Sequence, residues 1–164
     1  MTAALPLPEA VRRVRADHDL LLASVAGKSD EDLTKEYATA AGPLGDFCES
    51  LHDLVAHVLM WSEINLAVLT EAELGRRHWS LAPRWETPAA GRALNQAGVA
   101  AGRMLAGAHL VDRLEATRDA LLAQLDRFDD ETWTRTVGPM ATRAFTVPER
   151  PPFWHAAIHL GDAL

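Results

Sequence analysis

Two histidines near the end of the chain, His155 and His159, are four residues apart in a stretch of mostly small and apolar residues. At this spacing, two imidazoles lie one above the other on the same face of an α-helix. A helix that binds one metal ion through two nitrogens uses this spacing. A third histidine, His57, lies far upstream within the apolar stretch 54–61. If the two segments pack together, three imidazoles converge inside a helical core.

Three neutral imidazoles suit zinc, nickel, copper or iron. Three protein ligands also leave a coordination position for water or substrate, which is typical of catalytic rather than structural sites. A metal ion held in this way lowers the pKa of bound water, or of a coordinated thiol, toward neutrality. The alternative interpretation is that the histidines are partly buried and bond only to carbonyl or carboxylate groups. We favour the metal site formed by His57, His155 and His159.

Three neighbouring residues compete for roles at this site. His52 and His57 are five residues apart and therefore point about 140° apart on a helix, so both cannot join one site. We choose His57 because it belongs to the apolar stripe. Asp53, one turn before His57, is a candidate acceptor or fourth ligand, although an ordinary surface carboxylate is the favoured interpretation. Asp162, three residues after His159, could orient its ring.

Other side chains that could take part in binding or catalysis give less specific signals. The tryptophans either form the wall of a pocket beside the metal or pack in the core; the four concerned are Trp61, Trp79, Trp85 and Trp154. The basic run Arg76, Arg77 and His78 could contact an anionic substrate, although a solvated loop end is favoured. Cys48 has no evident activating partner and is interpreted as a small buried hydrophobe.

Composition narrows the class of protein. The chain has 164 residues, 48% of them hydrophobic, and a net charge of −7. We therefore expect one globular domain over 1–164, with no nucleic-acid footprint. The single cysteine excludes an internal disulfide and favours a reducing compartment, the cytoplasm. We expect neither a signal peptide nor a membrane span, since no apolar run approaches about 18 residues.

Apolar residues recur at helical spacing in four segments, and no strand-like alternation occurs. We predict helices over 8–26, 43–74 and 108–128, and a fourth from Pro151-Pro152 to the C-terminus. The segment 75–107 is predicted to be an ordered loop with one short helix over 88–99. Leu59 and Leu66 lie off the main stripe of the second helix and are candidates for a homodimer interface.

The chain also contains an internal sequence repeat. From Asp19 to Thr34, seven of 16 residues are identical to those 100 positions later. The first helix and the segment after it therefore resemble the third helix and the segment after that. The second helix is then expected to match the fourth. We predict an all-α, antiparallel four-helix bundle made of two helix hairpins related by a pseudo-two-fold axis.

Three short motifs resemble the DinB-like superfamily. They are the acidic segment 29–33 after the first helix, the Ala-His-x-x-x-Trp sequence around His57, and the terminal His-x-x-x-His of His155 and His159. This superfamily includes YfiT-like metal hydrolases, mycothiol-dependent maleylpyruvate isomerases, and bacillithiol and mycothiol S-transferases. The resemblance implies a four-helix bundle with a divalent metal, zinc or nickel, on His57, His155 and His159.

The resemblance also narrows the function. The isomerase branch is similar but has glutamate at the position of His155, and it often carries a further C-terminal domain, whereas this chain ends at Leu164. Both differences argue against isomerisation of maleylpyruvate itself. We expect a metal-dependent enzyme that activates water, or a low-molecular-weight thiol, toward a small electrophilic substrate. The alternative is a non-catalytic bundle that sequesters a small molecule, as in antibiotic self-resistance.

Overall fold

A computed structural model of the chain describes residues 5–37, 48–85, 87–137 and 155–160. These residues are mostly helical and contain no strand, only an isolated bridge between Glu36 and Ser50. The all-α prediction is confirmed. The described residues also contain two 3₁₀ turns, Trp79–Leu81 and Pro83–Trp85. The helices are α1 (Leu7–Val25), α2 (Asp30–Thr34), α3 (Leu51–Glu73), α4 (Pro88–Gly102), α5 (Gly107–Leu125), α6 (Asp130–Val137) and α7 (His155–Leu160).

The first helix ends as predicted. α1 begins at Leu7 after Pro6 and ends at Val25. Gly27 follows with a φ of 71°, a conformation in which a side chain would be strained. The glycine therefore terminates the helix and turns the chain toward α2.

The predicted start of the second long helix at residue 43 is wrong. Ser50 has an extended backbone with a φ of −146°, and α3 begins only at Leu51. Two interactions fix this boundary: Ser50 pairs with Glu36 in the isolated bridge, and its Oγ accepts a hydrogen bond from the Asp53 N–H at 3.1 Å. The serine therefore serves as the N-cap of α3. Residues 43–47 of the predicted helix lie outside the described residues.

Other boundaries differ more modestly. α5 ends at Leu125, three residues before the predicted 128, and α4 continues to Gly102, beyond the predicted 99. α2 and α6 were not predicted. The bounds of α1 and α5 differ by 100 residues at both ends, and α2 and α6 likewise begin 100 residues apart. The bounds of these helices therefore agree with the internal repeat in the sequence.

α3 is the central helix of the described chain and packs against α5, α4, α2 and α7, while α1 packs against α5 and α7. Buried apolar side chains form two clusters, one next to α7 and one next to α6. Leu54 and Leu114 belong to the first, and Leu69 and Trp133 belong to the second. The core thus holds the short α7 against α1 and α3.

The residues predicted for a dimer interface lie in this interior. Leu59 is only 3% exposed and belongs to the first cluster, and the partly buried Leu66 packs against the second. Packing within the chain covers Leu59, which argues against its place in an interface, whereas Leu66 is only partly buried and stays a candidate. The homodimer itself stays a prediction.

The apolar character of α3 was underestimated. By length and composition alone, Leu51–Glu73 could cross a membrane, which corrects the statement that no run approaches that length. However, 56% of the apolar stretch is buried inside the protein. A core helix passes the same test, so we interpret α3 as the core helix of this fold.

Candidate metal centre

The structure brings His57, His155 and His159 together. His57 lies in the middle of α3, and the other two lie one turn apart on α7. The Nε2 atoms of His57 and His155 are 2.7 Å apart. Each ring offers one nitrogen to a set in which all three atoms lie within 4.8 Å of one another. Since zinc–nitrogen bonds are about 2.0–2.1 Å long, small adjustments of the rings would let one ion reach all three nitrogens.

Burial keeps the three rings neutral. His57 is 2% exposed and His159 is 3% exposed. Burial, together with the neighbouring imidazoles, lowers the pKa of His57 to about 2 and that of His155 to about 3. Burial alone lowers the pKa of His159 to about 4. A neutral imidazole has a free lone pair, and it is this form that binds metals.

His159 supplies a test of whether the residues fit a metal ion. Its Nδ1 is buried, and it has no hydrogen-bond partner among the described residues. Such buried polar atoms are rare in folded proteins because each costs free energy. The ring nitrogen that His159 offers lies within 4.8 Å of those of the other two neutral imidazoles, and such a set of nitrogens fits a borderline divalent ion.

Asp17 of α1 is a residue of this site that sequence reasoning missed. It is 6% exposed, and its Oδ1 accepts hydrogen bonds from the N–H groups of Ala156 at 2.8 Å and Ala157 at 3.3 Å. Burial raises the pKa of this carboxyl group to about 6, although the helix N–H groups and the charge of Arg13 oppose that shift. The signal in the sequence was a carboxylate at a core-facing position of α1, three residues after Val14.

A second buried polar contact joins α1 to α3 beside the cluster. His18 Nδ1 lies 2.8 Å from the Val14 carbonyl oxygen, to which its N–H must donate. Its Nε2 therefore accepts the hydrogen bond from Ser62 Oγ, at 3.0 Å. Burial lowers the pKa of His18, so this ring is also neutral. The contact fixes how α1 lies against α3.

Asp53 is not the surface carboxylate that was favoured. It is 3% exposed, and Arg103 binds it through two hydrogen bonds, Nε to Oδ1 at 2.9 Å and Nη2 to Oδ2 at 2.6 Å. The Glu49 N–H also donates to Oδ2, at 3.0 Å. Burial opposes ionisation, but these hydrogen bonds outweigh it and the pKa of Asp53 is lowered. Asp53 therefore anchors α4 to the start of α3.

His52 lies apart from the histidine cluster, as its place on the helix predicted. It is buried, and its Nε2 lies 3.0 Å from the Leu105 carbonyl oxygen. This contact ties α3 to the turn between α4 and α5. Since the carbonyl can only accept, the His52 Nε2–H is the donor, and that nitrogen has no lone pair to offer a metal.

The tryptophans do not form one group. The Trp61 Nε1–H donates to Asn95 Oδ1 at 2.7 Å, which joins α3 to α4. Trp79 and Trp85 contact each other edge to face in the 3₁₀ segment, with ring centroids 5.2 Å apart. Trp79 is 48% exposed. Trp154, like Asp162, lies outside the described residues.

The basic run after α3 makes local contacts. Arg76 donates to both carboxylate oxygens of Glu71, at 2.6 Å and 2.9 Å. Arg77 donates to the Leu81 carbonyl oxygen, and His78 Nδ1 lies 2.7 Å from Ser80 Oγ. These contacts order the loop that follows α3, and a role of the basic run toward an anionic substrate stays a prediction.

Cys48 is buried, as predicted, with 4% of its surface exposed. Burial, reinforced by the negative charge of Asp53, raises the pKa of its thiol to about 12. The thiol is therefore not a nucleophile near neutral pH.

Comparison with known proteins gives one family. A family model described as the mycothiol maleylpyruvate isomerase N-terminal domain matches residues 50–153. This range includes α3 with His57 and extends through α6, and it ends just before α7. No curated protein and no solved structure gives a significant match.

Proposed function

The chain belongs to the mycothiol maleylpyruvate isomerase N-terminal domain family, a DinB-like family, and from this premise we propose that it is a metal-dependent enzyme. The observation that carries the proposal is the convergence of three neutral imidazoles, from two helices distant in sequence, within 4.8 Å. His57, His155 and His159 would hold one divalent ion, zinc or nickel.

The ion would supply a nucleophile near neutral pH, because it lowers the pKa of a coordinated water or thiol. The protein's own part is to keep the ligands neutral and in place. The apolar neighbours Leu54, Val58 and Leu160 are at most 4% exposed, so the ligands are held in a part of the core with little water. Low solvation favours ligand binding by imidazole over protonation of its nitrogen.

For the co-substrate we propose a low-molecular-weight thiol, on the strength of the family alone. In such a transfer the thiol sulfur forms a bond to an electrophilic carbon, the leaving group departs with its electron pair, and the thiol proton passes to solvent. Hydrolysis, with water in place of the thiol, is the other form of the same chemistry. No serine or cysteine nucleophile is needed for either reaction, and the raised pKa of Cys48 agrees with this.

The finer architecture is part of the proposal. We propose that α1, α3, α5 and α7 form an antiparallel four-helix bundle with a pseudo-two-fold axis. The packing of α3 on α5, of α1 on α5, and of α7 on both α1 and α3 supports it, as do the matched bounds of α1 and α5. A cytoplasmic location stays a prediction.

The experiment loads the purified protein with zinc or nickel and mixes it with a small thiol and a fluorogenic alkylating reagent. Catalytic turnover, well beyond one product per protein, is expected for the metal-loaded protein and not for the chelator-treated protein. A binding protein would instead protect against its ligand one for one. Failure of either metal to accelerate both thiol transfer and hydrolysis of model esters would contradict the enzymatic proposal.

A further inference from the structure

Asp17 is the buried link between α1 and the helix that carries two of the three histidines. Its carboxylate accepts hydrogen bonds from the N–H groups of Ala156 and Ala157, the residues that directly follow His155. The first N–H groups of a helix have no partner within the helix itself, so an acceptor must come from elsewhere. Here the acceptor comes from another helix, 139 residues earlier in the chain.

The charge of this carboxylate is compensated on both sides. Arg13 lies one turn earlier on α1, is 7% exposed, and interacts electrostatically with Asp17. On the other side, the N–H groups of Ala156 and Ala157 donate hydrogen bonds to the carboxylate. A buried ionised group is tolerated only when it is paired and hydrogen-bonded, as Asp17 is. The pair of interactions therefore defines one position for the start of α7.

That position determines where the two imidazoles point. α7 has six described residues and packs against α1 and α3, and the Tyr37 hydroxyl also donates to its Leu160 carbonyl oxygen. His155 is adjacent to the tethered N–H groups, and His159 is one turn further on. A small rotation or sliding of α7 would move both rings relative to His57, which belongs to a different helix.

We propose that Asp17 is a positioning residue for the metal centre: it holds α7 in the register at which His155 and His159 meet His57. This inference rests on the proposed metal site. Asp17 does not touch the reacting atoms; it acts through the backbone of α7. Groups that orient metal ligands commonly change metal affinity by about ten- to hundred-fold when they are removed.

The test compares Asp17→Asn and Asp17→Ser with the control Asp19→Asn, which removes an exposed carboxylate two residues away on the same helix. Asparagine keeps the shape of the side chain but removes its charge, and serine replaces the carboxylate by a shorter hydroxyl group, which can donate as well as accept. Zinc affinity is measured by competition with a chromogenic chelator, and the visible spectrum is recorded at saturating cobalt. Hydrogen–deuterium exchange of residues 155–160 is followed in the metal-free protein.

We expect the two Asp17 variants to bind zinc about ten- to hundred-fold more weakly, to give an altered cobalt spectrum, and to exchange faster over 155–160 than over α5. Asp19→Asn should match the wild type. Wild-type zinc affinity, cobalt spectrum and exchange in a folded Asp17→Ser would overturn the proposal. If the wild type binds no metal, the proposed function fails. Faster exchange confined to α7 would then still support the tether, and unchanged exchange would overturn it.

Discussion

The Nε2 atoms of His57 and His155 lie 2.7 Å apart, although 98 positions separate the two residues. This is a hydrogen-bond distance, so one ring must donate the N–H that the other accepts. Both pKa values are lowered, so neither neutral ring takes up a further proton near neutral pH. A divalent ion could take the place of the shared proton, with His159 as a third ligand. The contact also fixes α7 against the middle of α3.

Because the Asp53 end of the Asp53–Arg103 pair is buried, we expect the loss of Arg103 to lower the stability of the protein strongly. The side chain of Asp53 is 4% exposed, whereas that of Arg103 is 47% exposed. Arg103→Ala leaves a buried carboxylate without its cation and should lower the free energy of unfolding by about 1–3 kcal/mol. The control is Arg113→Ala, which breaks the exposed pair with Glu63 and should cost about 0.5 kcal/mol or less. Urea denaturation measures both, and equal losses would contradict the account.

The same pair predicts that the stability of the protein depends on pH in the acidic range. The folded-state pKa of Asp53 lies below its usual 3.8, despite the opposing effect of burial, because Arg103 and the Glu49 N–H stabilise the ionised form. The contribution of the pair to stability is therefore fully present above pH 3.8 and is lost as the pH falls through the lower folded-state pKa. Urea titrations from neutral to acidic pH should show the stability difference between wild type and Arg103→Ala shrink at the acidic end. A difference that grows toward acid would count against the prediction.

Two glycines of α4 should respond in opposite ways to alanine. Gly102 packs so closely on Ala56, the neighbour of His57, that an added Cβ would collide with the Ala56 Cβ, whereas a Cβ on Gly91 meets nothing. Gly91→Ala should raise stability by about 0.4–1 kcal/mol, since alanine loses less backbone entropy in a helix. Gly102→Ala should lower it by about 1–3 kcal/mol, because α4 must move away from α3. Thermal melts decide the signs, and stabilisation by both variants would refute the close packing.

Cys48 should be inert in the native protein. It is buried, and its thiol pKa is raised to about 12, so little thiolate exists at pH 8 and a reagent cannot reach it. We expect a disulfide reagent such as dithionitrobenzoate to label one thiol rapidly in guanidinium and very slowly without it. Rapid labelling of the native protein would show that the cysteine is accessible.

The sequence predicted the parts of the site that follow from local periodicity. The four-residue spacing of His155 and His159, and the place of His57 on an apolar stripe, are properties of single helices. The end of α1 before Gly27 is equally local. The choice of His57 over His52 also needed only the geometry of one helix.

Contacts between distant segments were not predictable in this way. Asp17 looks like one more acidic residue of α1 until α7 is placed against it. Asp53 was assigned to the surface because its partner, Arg103, is 50 positions away. The start of α3 was misplaced because the bridge with Glu36, in addition to the local N-cap, keeps Ser50 extended. In each case a tertiary contact decides the outcome over the local pattern.

The central claim is that His57, His155 and His159 bind one divalent ion as a unit. The most direct measurement is the zinc-dependent rise in melting temperature of the wild type, of the three single alanine variants, and of His52→Ala. Zinc at a hundredfold excess over Kd should stabilise the wild type and His52→Ala by about 2.7 kcal/mol. It should stabilise none of His57→Ala, His155→Ala and His159→Ala to that degree, because each lacks one of three ligands. An equal response to zinc in His57→Ala and His52→Ala, or no response in the wild type, would contradict the metal centre.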